Sequence, residues 1–320
     1  MSEVHLSSPS KLAPLVSVLV PAFNHQDFIV SCLDSIVESS YAPLEILIID
    51  DGSVDDTYAR AYSWMEINSH RVMRVDVRRQ ENQGITRTLN ALVESAQGEY
   101  VALLASDDEL ETEGIQLRVS ALQQHPEWLA VFGDCSIIDS AGHQQSPSAL
   151  KSESHAHFAA LMNPRRIARE LILKWYLPGP AMLARRSAYD SSAGVGPYDE
   201  KLRVEDRDFY LRLLSINGLG FIPDRVARYR LHGNNSSGVL NRSVVWRDAV
   251  LSEWRNAPSF GVINRSLLAL IAIRGWTILR SADHIDRGNR LRGQTLGVVG
   301  KMLSIARKSA YLLHVLSSPR

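Results

Sequence analysis

Apolar and polar positions alternate in blocks along this chain. The run Leu15–Val20, closed by Pro21, is compact and β-rich, as a buried strand requires. From Asp27 to Ser40 the residues Phe28, Cys32, Ile36 and Val37 recur at helical spacing, with Asp27 near the start. The same alternation continues. Strands are predicted over Leu44–Ile49, Val72–Val77, Tyr100–Leu104 and Trp128–Cys135, and helices over Asp55–Ile67, Ile85–Ala96 and Glu113–Gln124. The punctuation agrees: Asp55 and Asp56 place negative charge at a helix start, Gly98 closes one helix, and Pro126 follows the end of another. Strands and helices joined by short connections predict an α/β fold, a mostly parallel sheet covered by helices.

The second half is less regular. Residues Asp139 to His157 are rich in Ser, Gln, Gly and His, which predicts a mobile loop or a connection between subdomains. A helix near Arg165–Trp175, a strand near Ala181–Arg185, a helix over Glu205–Ile216 and a strand over Val226–Leu231 follow. In the Glu205–Ile216 helix, Phe209, Leu213 and Ile216 share a face expected to meet the core. Beyond residue 240 the pattern is helical only, and no internal repeat is visible.

Composition adds limits. The chain has 320 residues, 45% apolar and 22% charged, as expected for a soluble globular protein. Its two cysteines, Cys32 and Cys135, have no metal-type spacing and read as reduced packing residues, which points to a reducing, cytoplasmic setting. Met1–Pro14 is polar and does not read as a secretory signal. The longest apolar run, Leu267–Ile273, is far short of the roughly 20 residues that span a bilayer, so an integral membrane protein is not expected. Zero net charge conceals an asymmetry. Residues 241–320 hold 13 Lys/Arg against 4 Asp/Glu, a net of +9, and the rest of the chain carries −9. The two parts are therefore expected to meet different partners.

Candidate chemistry gathers where the predicted strands end. Pro21-Ala22-Phe23-Asn24, Asp50-Asp51-Gly52-Ser53, Glu81-Asn82-Gln83-Gly84 and Ser106-Asp107-Asp108 follow the first four strands. In a parallel sheet these ends share one edge, where ligands of open α/β sheets bind. Acidic oxygens there suit a hard divalent cation such as Mg²⁺ or Mn²⁺, which would also neutralise a diphosphate. Read alone, each piece is also an ordinary turn or helix cap. Further on, Glu205-Asp206 opens a helix, where the dipole favours an ionised general base. His232 follows a strand and precedes a Gly/Asn/Ser loop, a placement that suits a presented imidazole.

In this order the segments resemble the family-2 glycosyltransferases of the GT-A fold, across about residues 15–240. The resemblance rests on Val16–Asn24, Ile48–Thr57, Glu81–Gly84, Gly98–Asp108, Glu205-Asp206 and Tyr229–His232. It implies a nucleotide-sugar donor, with UDP or dTDP as the nucleotide, and a glycan or lipid-linked acceptor in cell-surface polysaccharide synthesis. It implies that Pro21, Ala22, Asn24, Asp50 and Asp51 line the nucleoside pocket, with Asp51 near the uracil or other base, and Asn82, Gly84 and Ser106 beside the nucleotide. It further implies that Asp107 and His232 hold Mg²⁺ or Mn²⁺, and that Asp206 is the general base of an inverting displacement. The division that follows is a flexible terminus 1–14, a catalytic domain 15–240 and a basic helical extension 241–320. Within the catalytic domain, 15–135 forms the nucleotide-binding half and 136–240 the acceptor half. One position departs from the family: Ala105 stands where the Asp-x-Asp motif has its first acid, and Asp108 is a candidate to compensate.

The basic extension, with Arg265, Arg274, Arg280, Arg287, Arg290, Arg292, Lys301, Arg307 and Lys308 among apolar residues, reads as a packed helical appendage. Its sharper reading is peripheral contact with the anionic inner face of the plasma membrane. No nucleic-acid motif is present. A dehalogenase-type phosphatase fails because Ile49 stands where its nucleophilic acid belongs, and a dinucleotide-binding oxidoreductase fails because the first strand lacks Gly-x-Gly-x-x-Gly. The remaining rival is a catalytically silent nucleotide-sugar binder or scaffold on the same fold, which Ala105 favours and Asp107, Asp206 and His232 oppose.

Overall fold

The computed structural model describes residues 13–233, 235 and 242–286. In chain order its strands are β1 (Val16–Ala22), β2 (Leu44–Asp50), β3 (Arg74–Arg79), β4 (Tyr100–Leu103), β5 (Glu109–Leu110), β6 (Ala130–Ile138), β7 (Gln144–Ser146), β8 (Met182–Arg185) and β9 (Leu219–Arg230). The helices are α1 (Ile29–Val37), α2 (Thr57–Asn68), α3 (Ile85–Ser95), α4 (Gly114–Gln124), α5 (Ala149–Glu153), α6 (Phe158–Leu161), α7 (Ile167–Leu173), α8 (Glu205–Ser215), α9 (Arg242–Asn256) and α10 (Val262–Asp286).

The strands form one sheet in the order β3-β2-β1-β4-β8-β6-β9-β5, with β7 paired to β6. Every residue of β1 and β2 is buried, as expected of largely apolar strands covered on both faces; the polar Ser17 donates to Glu45 Oε1 across the two strands. Val18, Val20, Ile46 and Ile48 pack with Ile29, Leu33 and Ile36 of α1 in the main core. Strands β3, β2, β1 and β4 are mutually parallel, as the alternation predicts. Beyond these four strands the sheet turns mixed. β8 inserts antiparallel to both β4 and β6, and β9 returns parallel to β6. The sheet is therefore mixed. Because β8 reverses twice over, β6 and β9 run in the same sense as β1, β2 and β4. The carboxyl ends of all five open on one edge.

Several boundaries differ from those expected. β9 begins at Leu219 rather than Val226. Its first half hides behind the exposed Pro223-Asp224-Arg225, where register shifts between β6 and β9 interrupt the pairing. The Ser/Gln-rich stretch after Asp139 is not a loose loop. Asp139 Oδ1 accepts from the backbone amides of Ala141 and His143, both at 2.9 Å, and closes a hairpin into β7, followed by α5. Ile216 does not face the core; it lies just past α8 and is 53% exposed, while Phe209 and Leu213 are buried.

By packing, the chain divides into two compact units, 1–238 and 239–320. In the second, α9 and α10 pack against each other through a short turn at Ala257–Ser259. Leu268 and Ala272 are buried, while Ile263, Leu270 and Ile273 on α10 and Trp254 on α9 are exposed. No helix among the described residues is long and apolar enough to cross a membrane. Residues 1–12 and the basic positions Arg287, Arg290, Arg292, Lys301, Arg307 and Lys308 lie outside the described residues.

Candidate functional site

The edge where the parallel strands end carries two adjoining groups of polar side chains. The first forms where β2 stops. Asp51 is 5% exposed and holds the loop after β3. Its Oδ1 accepts from Gln80 Nε2 and the Gln83 amide, both at 2.8 Å, and its Oδ2 accepts from the Gly84 amide at 2.9 Å. Gly52 permits the close approach. Its φ is +80°, and an added Cβ would sit 2.9 Å from the Asn82 amide nitrogen. Asp50 behaves differently. Its Oδ1 accepts from the Ser53 amide at 3.0 Å and lies 3.5 Å from Arg79 Nε. Its Oδ2 is buried with no partner. An acceptor left so costs roughly 1–3 kcal/mol, a deficit that an incoming N–H donor would remove.

The loop after β1 is tied to this group. The Asn24 amide donates to Ser53 Oγ at 2.9 Å, Asn24 Oδ1 accepts from the Val54 amide at 2.9 Å, and the His25 amide donates to Thr57 Oγ1 at 2.8 Å. Asn24 takes a left-handed φ of +54°, a conformation its residue type tolerates.

The second group forms where β4 and β9 end. His232 Nε2 lies 3.0 Å from Asp107 Oδ2, and His25 Nε2 lies 3.7 Å from the same oxygen. One ligand atom from each of these three residues lies within 4.8 Å of the others. Behind His25, Ser106 Oγ is 2.8 Å from Nδ1. Behind Asp107, Asn235 Nδ2 approaches Oδ2 at 3.5 Å and donates to the Arg230 carbonyl at 2.9 Å. Phe28 fills the floor, with its ring centroid 4.8 Å from that of His232 and 5.0 Å from the Arg230 guanidinium carbon. Burial pulls the His25 imidazole below its ordinary pKa against the opposing charge of Asp107, which favours the neutral ring that a metal needs.

Asp108 does not replace the acid missing at Ala105. It is buried, its Oδ1 accepts from the Arg230 amide at 2.8 Å, and burial followed by the Asp107 charge raises its pKa well above the usual range. Its role is to join the β4 end to β9. Glu109 strengthens the join through Arg228, at 2.5 Å, and Arg230.

α8 carries Glu205, Asp206 and Asp208 in its first turn, where the dipole favours negative charge. Asp206 is half-buried, and its Oδ1 accepts from the Arg207 amide at 2.6 Å. Burial raises the pKa of both Glu205 and Asp206, and for Glu205 the neighbouring Asp206 charge adds to it.

The expected residues thus fall into three places. Asp50, Asp51 and Gly84 meet at the β2 end, with the β1 residues Pro21 and Ala22 buried beside it and Asn82 exposed on the latched loop. Ser106, Asp107 and His232 meet at the β4 and β9 ends. Asp206 stands on α8, outside the three-residue cluster. His25 was not among the expected ligands. Its one signal in the sequence is its position directly after the first strand's Pro-x-x-Asn turn.

The family model for glycosyl transferase family 2 matches residues 17–192. The chondroitin synthase of Escherichia coli is 34% identical over 232 residues, which is 72% of this chain and 31% of that protein; the chain spans about a third of that relative's length. Among solved structures, residues 1–349 of Staphylococcus aureus TarS in complex with UDP-GlcNAc superimpose with a TM-score of 0.63 at 18% identity, covering 87% of this chain and 77% of that one. The Pyrobaculum calidifontis mannosyltransferase PcManGT in complex with GDP-Man and Mn²⁺ gives a TM-score of 0.58 at 17% identity, covering 100% and 92%. These two likenesses establish the GT-A fold.

Proposed function

The chain belongs to glycosyl transferase family 2, and on that premise we propose that it moves a sugar from a nucleotide-sugar donor to a hydroxyl of a glycan or lipid-linked acceptor, with inversion. The observation that carries this reading is the shared edge. The orphaned Asp50 oxygen, a fit for a base N–H, stands on the same side of the sheet as the Asp107–His232 pair. The carboxylate and imidazole of that pair fit a divalent ion, Mg²⁺ or Mn²⁺. Such an ion would supply positive charge against the diphosphate leaving group.

The chain's own residues do the rest. Asp50 and the Asp51-latched loop orient the nucleoside. Asp206 takes the proton of the acceptor hydroxyl as that oxygen attacks the anomeric carbon. The new C–O bond forms opposite the bond to phosphate, which breaks and leaves its electron pair on the nucleoside diphosphate. A carboxylate whose pKa is raised by burial is a better proton acceptor than an exposed one. A UDP- or dTDP-linked donor and a role in cell-surface polysaccharide synthesis extend the same reading, in a cytoplasmic protein peripheral to the inner membrane face.

The test is Asp206→Asn. Transfer should fall by about 10²–10⁴-fold, the usual scale for a lost general base. Calorimetric titration with UDP and Mn²⁺ should still show binding within about threefold of the parent, since Asp206 lies outside the metal cluster. Near-normal turnover in the variant sinks the assignment. A chain that binds nucleotide sugars yet releases no nucleoside diphosphate is the silent binder instead.

A further inference from the structure

We propose that His25 is a third metal ligand, supplied by the loop after β1 in place of the acid that Ala105 removes, and that it turns the site toward Mn²⁺-type ions over Mg²⁺. The inference rests on the metal reading of Asp107 and His232 given above. It begins from a convergence: two imidazole nitrogens, one from the loop after β1 and one from the segment after β9, approach one carboxylate oxygen, at 3.7 and 3.0 Å. Ligand atoms roughly 2.0–2.2 Å from a common ion lie about 3 Å apart when adjacent and about 4.3 Å apart when opposite, so a set spread over no more than 4.8 Å accommodates one after contraction.

The loop is built to present this ring. Its backbone is fixed on the β2 side by the Asn24–Ser53, Asn24–Val54 and His25–Thr57 hydrogen bonds, and by Gln26 to Asp55 at 3.1 Å. The His25 carbonyl accepts from the amides of Phe28 and Ile29, both at 3.0 Å, which starts α1. The ring itself meets Phe28 edge-on at 6.1 Å and His232 edge-on at 5.5 Å. Ser106 occupies Nδ1, which leaves Nε2 as the nitrogen directed to Asp107. A hydrogen-bonded second nitrogen is the usual device for orienting a ligating histidine, and Ser106 is here the positioning residue.

The donor set has a chemical consequence. Mg²⁺ prefers oxygen ligands and gives up water reluctantly. Two imidazoles and one carboxylate suit first-row divalent ions, and affinity for nitrogen rises from Mn²⁺ onward. Replacing an acid by His25 therefore costs the site little for Mn²⁺ and much for Mg²⁺.

The test uses the full chain with Mn²⁺ alone and with Mn²⁺ plus UDP, read by calorimetry and by pulsed electron paramagnetic resonance of the bound ion. The wild type should show couplings from two histidine nitrogens, replaced on ¹⁵N-histidine labelling, and should bind Mn²⁺ at least tenfold more tightly than Mg²⁺. His25→Ala should lose one nitrogen, weaken Mn²⁺ by about 10–100-fold and change Mg²⁺ by less than about threefold. Ser106→Ala, which keeps the ring, should weaken Mn²⁺ several-fold and retain two nitrogens. One nitrogen in the wild type overturns the inference without any variant, as does an unchanged signal and affinity in His25→Ala. Asp107→Asn separates the two levels. If it binds Mn²⁺ like the wild type, the metal reading itself fails; if it loses Mn²⁺ while His25→Ala does not, the present inference alone fails.

Discussion

Two adjacent aspartates end β2 and do opposite work. Asp51 is saturated by Gln80, Gln83 and Gly84, so its side chain is part of the scaffold. Asp50 keeps one buried oxygen without a partner, so it is the one with a hydrogen bond still to accept. The pair should separate in mutagenesis. Asp51→Ala should cost about 1–3 kcal/mol of stability, measured by urea unfolding, because it strands three donors. Asp50→Asn should leave the urea midpoint unchanged or raise it, and weaken UDP binding by about 10–100-fold in calorimetry. Equal losses of stability in both variants would contradict the division. The sequence shows the Asp-Asp-Gly-Ser stretch plainly but not which acid is spent, because the answer lies in amides 29 to 33 residues away. His25 was hidden for the same reason. A lone loop histidine carries no pattern of its own, and its partners at Asp107 and His232 come from other strands.

At the scale of elements, α8 begins with charge it does not easily bear. Burial, and then the charge of Asp206, lift the Glu205 carboxyl above its ordinary 4.5. The folded chain therefore holds a proton that the unfolded chain has released. The stability from this group is complete below the ordinary value and is lost as pH rises through the raised one. Glu205→Gln should remove that slope, so that urea midpoints of the parent fall relative to the variant as pH climbs past 4.5 toward neutrality. Parallel curves across that window would refute the assignment. Elements with strong, continuous patterns were legible from the sequence: β1, β2, α1 and the helices α2 to α4 differ from expectation only at their ends. The first half of β9 and the hairpin after Asp139 were not. A strand carrying Pro223-Asp224-Arg225 on its exposed side reads as a loop, and so does a turn whose bonds come from a single aspartate.

For the molecule as a whole, the order of motifs along the chain was visible, but the order of strands was not. Periodicity says nothing about β8 inserting between β4 and β6 in reverse, since that pairing is chosen by packing after a long excursion. The second unit poses a separate question. Its helices expose Trp254, Ile263, Leu270 and Ile273, and residues 241–320 carry a net of +9, a combination that suits an anionic lipid surface. The full chain should co-sediment with phosphatidylserine vesicles and lose that binding above about 0.5 M salt, where charges are screened within a few ångströms. A chain ending at residue 240 should stay in the supernatant, and equal binding by both rejects the membrane role. Asp108 and Glu109 are anchored by Arg228 and Arg230, and β5 pairs with β9, the last strand of the sheet to be synthesised. Asp107 thus gains its fixed position only when the final strand docks. If the site holds a metal as proposed, a chain still emerging from the ribosome has no finished pocket for it, and metal binding would report the moment the sheet is completed.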